Sequence, residues 1–236
     1  MAIRLGSTHM TGLNMALKTA FYPHYSYTKA IHGHSTPLQF PHEDTYKSGR
    51  IRGKAMDKLT DEMVLKAKNN EDWQNSFTGI FQTQLVDYLK RNALFPVASQ
   101  YPLFDSELRM GTHVDLVCKT TSGKFVLFEN KVGYEASLER HTLKPMRAPF
   151  ETLNDSPLNQ MHLYVAFIVR MFKKQYPMRE LDESLCAILR MSPNGLDIFS
   201  YRPDLDVESG ANALRKLRDL TKRDRLRLNR NQRKRK

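Results

Sequence analysis

Cysteine is scarce. The 236 residues hold only Cys118 and Cys186, both in apolar segments. Two thiols are too few for a disulfide framework or a cysteine-built zinc centre, and their surroundings fit reduced core residues of an intracellular protein. Long apolar runs are missing too: the longest, LYVAFIV at 163–169, is far short of the roughly 18 residues that a membrane span needs, so no membrane partner is expected. Acidic residues are absent before Glu43, where only Arg4, Lys18 and Lys29 are basic. Mitochondrial presequences share that lack of acids but carry more arginine, which makes mitochondrial targeting the lesser alternative. No internal repeat is visible.

The rest of the composition is that of an ordinary globular chain, 40% apolar and 26% charged, long enough for one good-sized domain with appendages. Net charge is +12, but residues 211–236 contain 12 Lys/Arg and 2 Asp, which leaves the remaining 210 residues at +2. A near-neutral body thus carries a polycationic arm, expected as a basic helix and tail over 206–236. Such an arm attracts nucleic acid through salt-sensitive, sequence-blind contacts. A solvated tail or nuclear-import signal accounts for the same charges, so nuclear or nucleoid-associated location rests on this stretch alone.

Residues 1–54 hold five of the eight histidines (His9, His24, His32, His34, His42) and the aromatic run FYPHYSY, and they show neither helical nor strand period. They read as an irregular accessory segment, with histidine spacings that match no compact metal pair. From residue 55 the pattern sharpens. AMDKLTDEMVLKAK is an amphipathic helix, and residues 70–92 form a second, with Trp73, Phe77, Ile80, Phe81, Leu85, Tyr88 and Leu89 on one stripe. PVASQYPLF (96–104), THVDLVCK (112–119) and KFVLFENK (124–131) read as strands, the last two joined by the turn-rich TTSG. NQMHLYVAFIVRMFKKQ (159–175) is an apolar helix, and LCAILRM with GLDIFSY makes a second hairpin. This order predicts an α/β fold with a central mixed β-sheet flanked by helices, over residues 55–205.

The chemistry concentrates in GTHVDLVCKTTSGKFVLFENK, residues 111–131. If Lys119 pairs with Phe125, the register sets Asp115 opposite Glu129, and cross-strand partners lie about 4.5–5.5 Å apart. Lys131 shares the face of Glu129 by the period of two. Two carboxylates held together repel each other and lose hydration; a divalent cation relieves both, and oxygen ligands suit Mg²⁺ or Mn²⁺. The lysine adds a donor able to orient or activate an attacking water. Such a centre supplies what phosphodiester hydrolysis needs. An exposed Glu129–Lys131 ion pair with Asp115 as a cap is the plain structural alternative.

Asp115, Glu129-Asn130-Lys131 and the downstream Gln160-Met161-His162-Leu163-Tyr164 together resemble the D…(D/E)xK…QxxxY pattern of the PD-(D/E)XK nuclease superfamily, in its RecB-like and lambda-exonuclease-like branch. The likeness covers roughly residues 72–201. It implies a restriction-endonuclease-like core and a Mg²⁺- or Mn²⁺-dependent deoxyribonuclease, exonucleolytic or guided by DNA structure. By the same resemblance Asp115 and Glu129 ligate the metal with the Asn130 carbonyl. Lys131 positions the nucleophilic water, and Gln160 and Tyr164 touch the lysine or the substrate phosphates. Ring-forming relatives make a homo-oligomer one outcome.

The pattern departs from the family where an acid is expected on the helix before the first strand. Gln82 and Gln84 stand there, with Glu62 and Glu71 further upstream. An inactive nuclease-fold nucleic-acid-binding protein is therefore one alternative, and an RNA endonuclease of cap-snatching type is another. Arg140, Lys144 and Arg147, and Arg50, Arg52 and Lys54 ahead of the first helix, are the candidate phosphate contacts; a solvated charged face is the competing account. His113 shares the strand face of Asp115 and is a weaker candidate for substrate contact.

Overall fold

The computed structural model of the chain describes residues 2–5, 8–22, 49–132 and 144–233. Its strands are β1 (Ala2–Leu5), β2 (Thr8–Gly12), β3 (Phe95–Asp105), β4 (Met110–Lys119), β5 (Phe125–Val132), β6 (Ala187–Ser192) and β7 (Gly195–Ser200). Its helices are α1 (Leu13–Phe21), α2 (Gly49–Lys68), α3 (Ile80–Arg91), α4 (Pro157–Gln175) and α5 (Val207–Arg233). The seven strands form one open, mixed sheet in which β2–β4 and β5–β6 are parallel and the other pairs antiparallel. The α/β class and the mixed sheet flanked by helices are as expected. Among the described residues no helix is long and apolar enough to cross a membrane.

The crowding around β4 shapes the molecule. β3 pairs with β4 along its whole length, from Lys119 to Met110. A strand has two edges, so β5 and β2 must share the other one. β5 takes Leu116–Lys119 and β2 takes Met110 and Gly111. Thr112–Asp115 is left without a ladder partner on that edge, and beyond Phe128 β5 leaves β4 to run beside β6. The sheet forks there.

Local signals place the helices. Ser156 caps α4 by accepting the Asn159 N–H at 3.2 Å, with Pro157 at the first helical position. The apolar run of α4 then buries Leu163, Ala166, Phe167, Met171 and Phe172 in a core shared with β4–β6 and α3. That core also takes Leu13, Leu17 and Phe21 from α1, and Val207, Ala211 and Leu214 from α5. At Gly210 an added Cβ would lie 2.6 Å from the Phe150 ring, so α5 packs this closely only with glycine there.

Three expectations are corrected. Residues 1–54 are not irregular throughout: β1, β2 and α1 occupy 2–21, and α2 begins at Gly49 rather than after Lys54. His24, His32, His34 and His42 lie outside the described residues. The helix expected over 70–92 spans only Ile80–Arg91, because the Asp72 carboxylate accepts the Gln74 and Asn75 N–H groups, each at 3.1 Å, and turns the chain. Trp73 and Phe77 are still buried, whereas Ile80 is exposed.

Candidate active site

Asp115 and Glu129 sit at the fork. The register of β4 and β5 is the expected one, Lys119 with Phe125 through Leu116 with Phe128, and the ladder stops one pair short of the two acids. Asp115 Oδ2 reaches across instead and accepts the Asn130 N–H at 2.9 Å. In an extended strand a residue's N–H and C=O point to the same edge, so the Asn130 carbonyl opens toward this gap as well. The Asn130 carboxamide lies on the other face, buried without a hydrogen-bond partner.

Glu129 is buried at 7% exposure, and Lys131 Nζ donates to its Oε1 at 2.6 Å. Among the described residues its Oε2 is buried with no hydrogen-bond donor. Desolvation, reinforced by the nearby Asp115 charge and only partly offset by Lys131, pushes the Glu129 carboxyl up from 4.5 to about 8. Such an acid is short of positive charge.

Two members of the helix motif reach this region in different ways. Tyr164 Oη is 2.5 Å from Thr112 Oγ1, on the unpaired stretch of β4, and burial followed by the Glu129 charge holds the phenol far above its usual range. The Gln160 side chain is held by a buried acid: its Nε2 donates to Asp155 Oδ1 at 2.8 Å, and its backbone carbonyl accepts from Tyr22 Oη at 3.1 Å. A buried amide N–H needs an acceptor, and Asp155 supplies it. Glu129, Lys131, Gln160 and Tyr164 nevertheless line one cavity of about 310 Å³. Asn14, Met15, Lys18 and Tyr22 of α1 and its C-terminus form the opposite wall. Sequence reasoning missed this wall because nine helical residues after two short strands give little periodicity.

A further acid approaches Asp115 from α2. Asp57 on α2 is bridged to Asp115 by Gln100, whose Nε2 donates to Asp57 Oδ1 at 3.0 Å and to Asp115 Oδ1 at 3.2 Å. Burial and the Asp115 charge raise the Asp57 carboxyl above its ordinary value. Gln82 and Gln84 are occupied elsewhere: Gln82 Oε1 accepts the Gly79 N–H at 3.0 Å, and Gln84 Nε2 donates to the Ser192 carbonyl at 2.8 Å. Glu62 is exposed, and Glu71 pairs with Lys66 at 3.5 Å. The available signal for Asp57 was its place beside the buried Met56 in an amphipathic helix.

The candidate phosphate contacts divide. Arg147 is exposed, but its Nη1 donates to the Thr19 carbonyl at 3.0 Å and its N–H to the Phe21 carbonyl at 3.1 Å, so it closes the C-terminus of α1. Arg52 is partly buried and lines a small cavity of about 50 Å³ with Met56, Leu59 and Phe81. Lys54 and Lys144 are exposed, whereas Arg140 and the side chain of Arg50 lie outside the described residues. His113 is partly buried.

The donor set fits a hard dication. It has two adjoining carboxylates, one with a buried oxygen that no donor satisfies, and a main-chain carbonyl facing the same gap. Among the described residues no three His, Cys, Asp or Glu side chains lie close enough to enclose an ion unaided. Mg²⁺ keeps several waters and is commonly held by one or two carboxylates, so a pair of acids would suffice for it. No protein-family model matches the chain, and no curated protein matches it either.

Proposed function

We propose that this chain is a divalent-cation-dependent nuclease of PD-(D/E)XK type that hydrolyses DNA phosphodiester bonds at the fork between β4 and β5. One observation carries the reading: a buried glutamate, pushed up to about 8, with one oxygen unsatisfied, beside a second carboxylate and a lysine. Desolvating two acids together is costly unless a ligand uses their charge. The expected Asp-(Glu-x-Lys) motif supplies all three groups, and Asp57 adds the helix acid whose absence favoured an inactive relative.

Asp115 and Glu129, with the Asn130 carbonyl, would hold Mg²⁺ or Mn²⁺, whose charge would favour the ionised form of Glu129. When bound, the ion supplies Lewis acidity toward the phosphate and the leaving oxygen. Lys131, which lines the cavity beside Glu129, would orient the attacking water. Tyr164 and Thr112 fill the unpaired edge of β4 and keep bulk water from the acids. Lys18, on the far wall, offers its ammonium to the substrate phosphate. The basic arm adds a nonspecific hold on the polynucleotide.

The test is cleavage of end-labelled DNA, with RNA in parallel, in Mg²⁺ or Mn²⁺. Asp115→Ala and Lys131→Ala should each lower the rate by at least about 10²-fold, the scale of losing a positioned catalytic group. Equal cleavage by wild type and both variants would reject the site, and preference for RNA would reassign the substrate.

A further inference from the structure

Gln100 has a backbone φ of +43°. Three other described non-glycine residues have a left-handed backbone, Asn70, Ala93 and Arg109, and all three sit in turns. Gln100 lies inside a strand. It follows the register shift between Pro96 and Ala98 and falls between the pairs Ser99–Leu116 and Tyr101–Val114, which sets it opposite Asp115. Strain of this kind persists only where the surroundings impose it, and it gathers at functional sites.

The kink aims a clamp at α2. Gln100 Nε2 bridges the Asp57 and Asp115 carboxylates at 3.0 and 3.2 Å, and one residue earlier Ser99 Oγ meets Asp61 Oδ1 at 2.5 Å. Asp57 and Asp61, four apart, share a helix face. A carboxamide suits the task better than a cationic side chain. Lys or Arg in that position would neutralise the acids and compete with an incoming ion. A neutral N–H donor holds both carboxylates in place and leaves their charge and their remaining lone pairs available.

We propose that Gln100 is a positioning residue for cation binding, which orients the Asp115 carboxylate of the Asp115/Glu129 seat and ties it to Asp57 of α2. The assignment rests on reading that seat as a cation site. Removing an outer group that orients a metal ligand typically weakens metal affinity by about 10–100-fold.

Gln100→Gly is the informative variant, because glycine adopts the left-handed backbone freely and the fold loses only the amide. Mn²⁺ binding to the full chain is measured by calorimetry and by electron paramagnetic resonance, alongside melting in EDTA. Gln100→Gly should melt no lower than wild type and bind Mn²⁺ about 10–100-fold more weakly. Asp57→Asn, which leaves the Gln100 bond to Asp115 in place, should weaken binding less, and the double variant should be no worse than Gln100→Gly alone, since Asp57 acts on the seat through the Gln100 amide. Gln100→Asn, which tolerates the same backbone but is one methylene short, should resemble Gln100→Gly. Wild-type Mn²⁺ affinity in both Gln100 variants, with binding abolished by Glu129→Gln, would overturn the role of Gln100 and leave the acid pair standing. No Mn²⁺ binding by wild type would overturn both.

Discussion

Replacing Glu129 with Gln keeps the side chain's shape and leaves Lys131 an amide oxygen, but it removes a buried ionisable group. Raised from 4.5 to about 8, the Glu129 carboxyl holds a proton in the folded chain that the unfolded chain has already released throughout that range. The folded state therefore binds more protons, and stability falls as pH rises from the lower value through the upper one. At about 1.4 kcal/mol per unit the burden is under about 1 kcal/mol at pH 5 and on the order of 4 kcal/mol at pH 8. For a chain of this size each kcal/mol moves the melting temperature by roughly 2–4 °C. In EDTA, the Gln variant should melt close to wild type at pH 5 and roughly 8–16 °C above it at pH 8. Asp57, also raised by burial and by Asp115, leaves the variant a shallower slope of the same sign. Mn²⁺ at pH 8 should raise the wild-type melting temperature and not that of the variant, because a ligand stabilises only the state that binds it. Scanning fluorimetry at pH 5, 6.5 and 8 decides the matter. Parallel melting curves for the two proteins across that range would refute the picture of a strained, cation-seeking glutamate.

Two further outcomes are expected. Asp105 has no exposed side-chain surface and is held by Arg170 at 2.6 Å and Lys174 at 3.2 Å, so Arg170→Ala should cost about 3 kcal/mol in urea unfolding, with Arg170→Ala/Asp105→Asn recovering much of it; an additive double variant would contradict this. Ending the chain after Leu220 removes nine of the Lys/Arg residues. The slope of log affinity for DNA against log salt should shrink by several units, at roughly 0.7–0.9 for each phosphate the arm no longer neutralises, and an unchanged slope would exclude the arm from the interface.

What could be read from the residues alone was whatever short-range pattern controls. The β4–β5 hairpin is joined by a five-residue loop, Thr120–Lys124, with Gly123 at φ +85°, and its register followed from alternation and loop length. Glu129 and Lys131 share a face for the same reason, and α4 was legible from its long apolar run at 159–175. Local pattern failed where a distant partner overrode it. Gln160 and Tyr164 are four apart on one helix, yet one is held by Asp155 and the other by Thr112, because each found the nearest buried partner.

Asp57 illustrates the limit most clearly. It lies 58 residues before Asp115 in a helix whose exposed face carries other acids, so its place beside the buried Met56 does not by itself mark it out. What singles it out is a strand that breaks its own regularity: the bulge after Pro96 and the left-handed Gln100 turn an amide toward two carboxylates at once. A regular β3 would carry Gln100 along the alternation of its neighbours. The departure from ideal strand geometry is thus what ties the α2 acid to the β4 acid. The same crowding forces β5 off β4 just before Glu129, which makes the fork that the acids occupy a consequence of how many strands compete for one edge of β4.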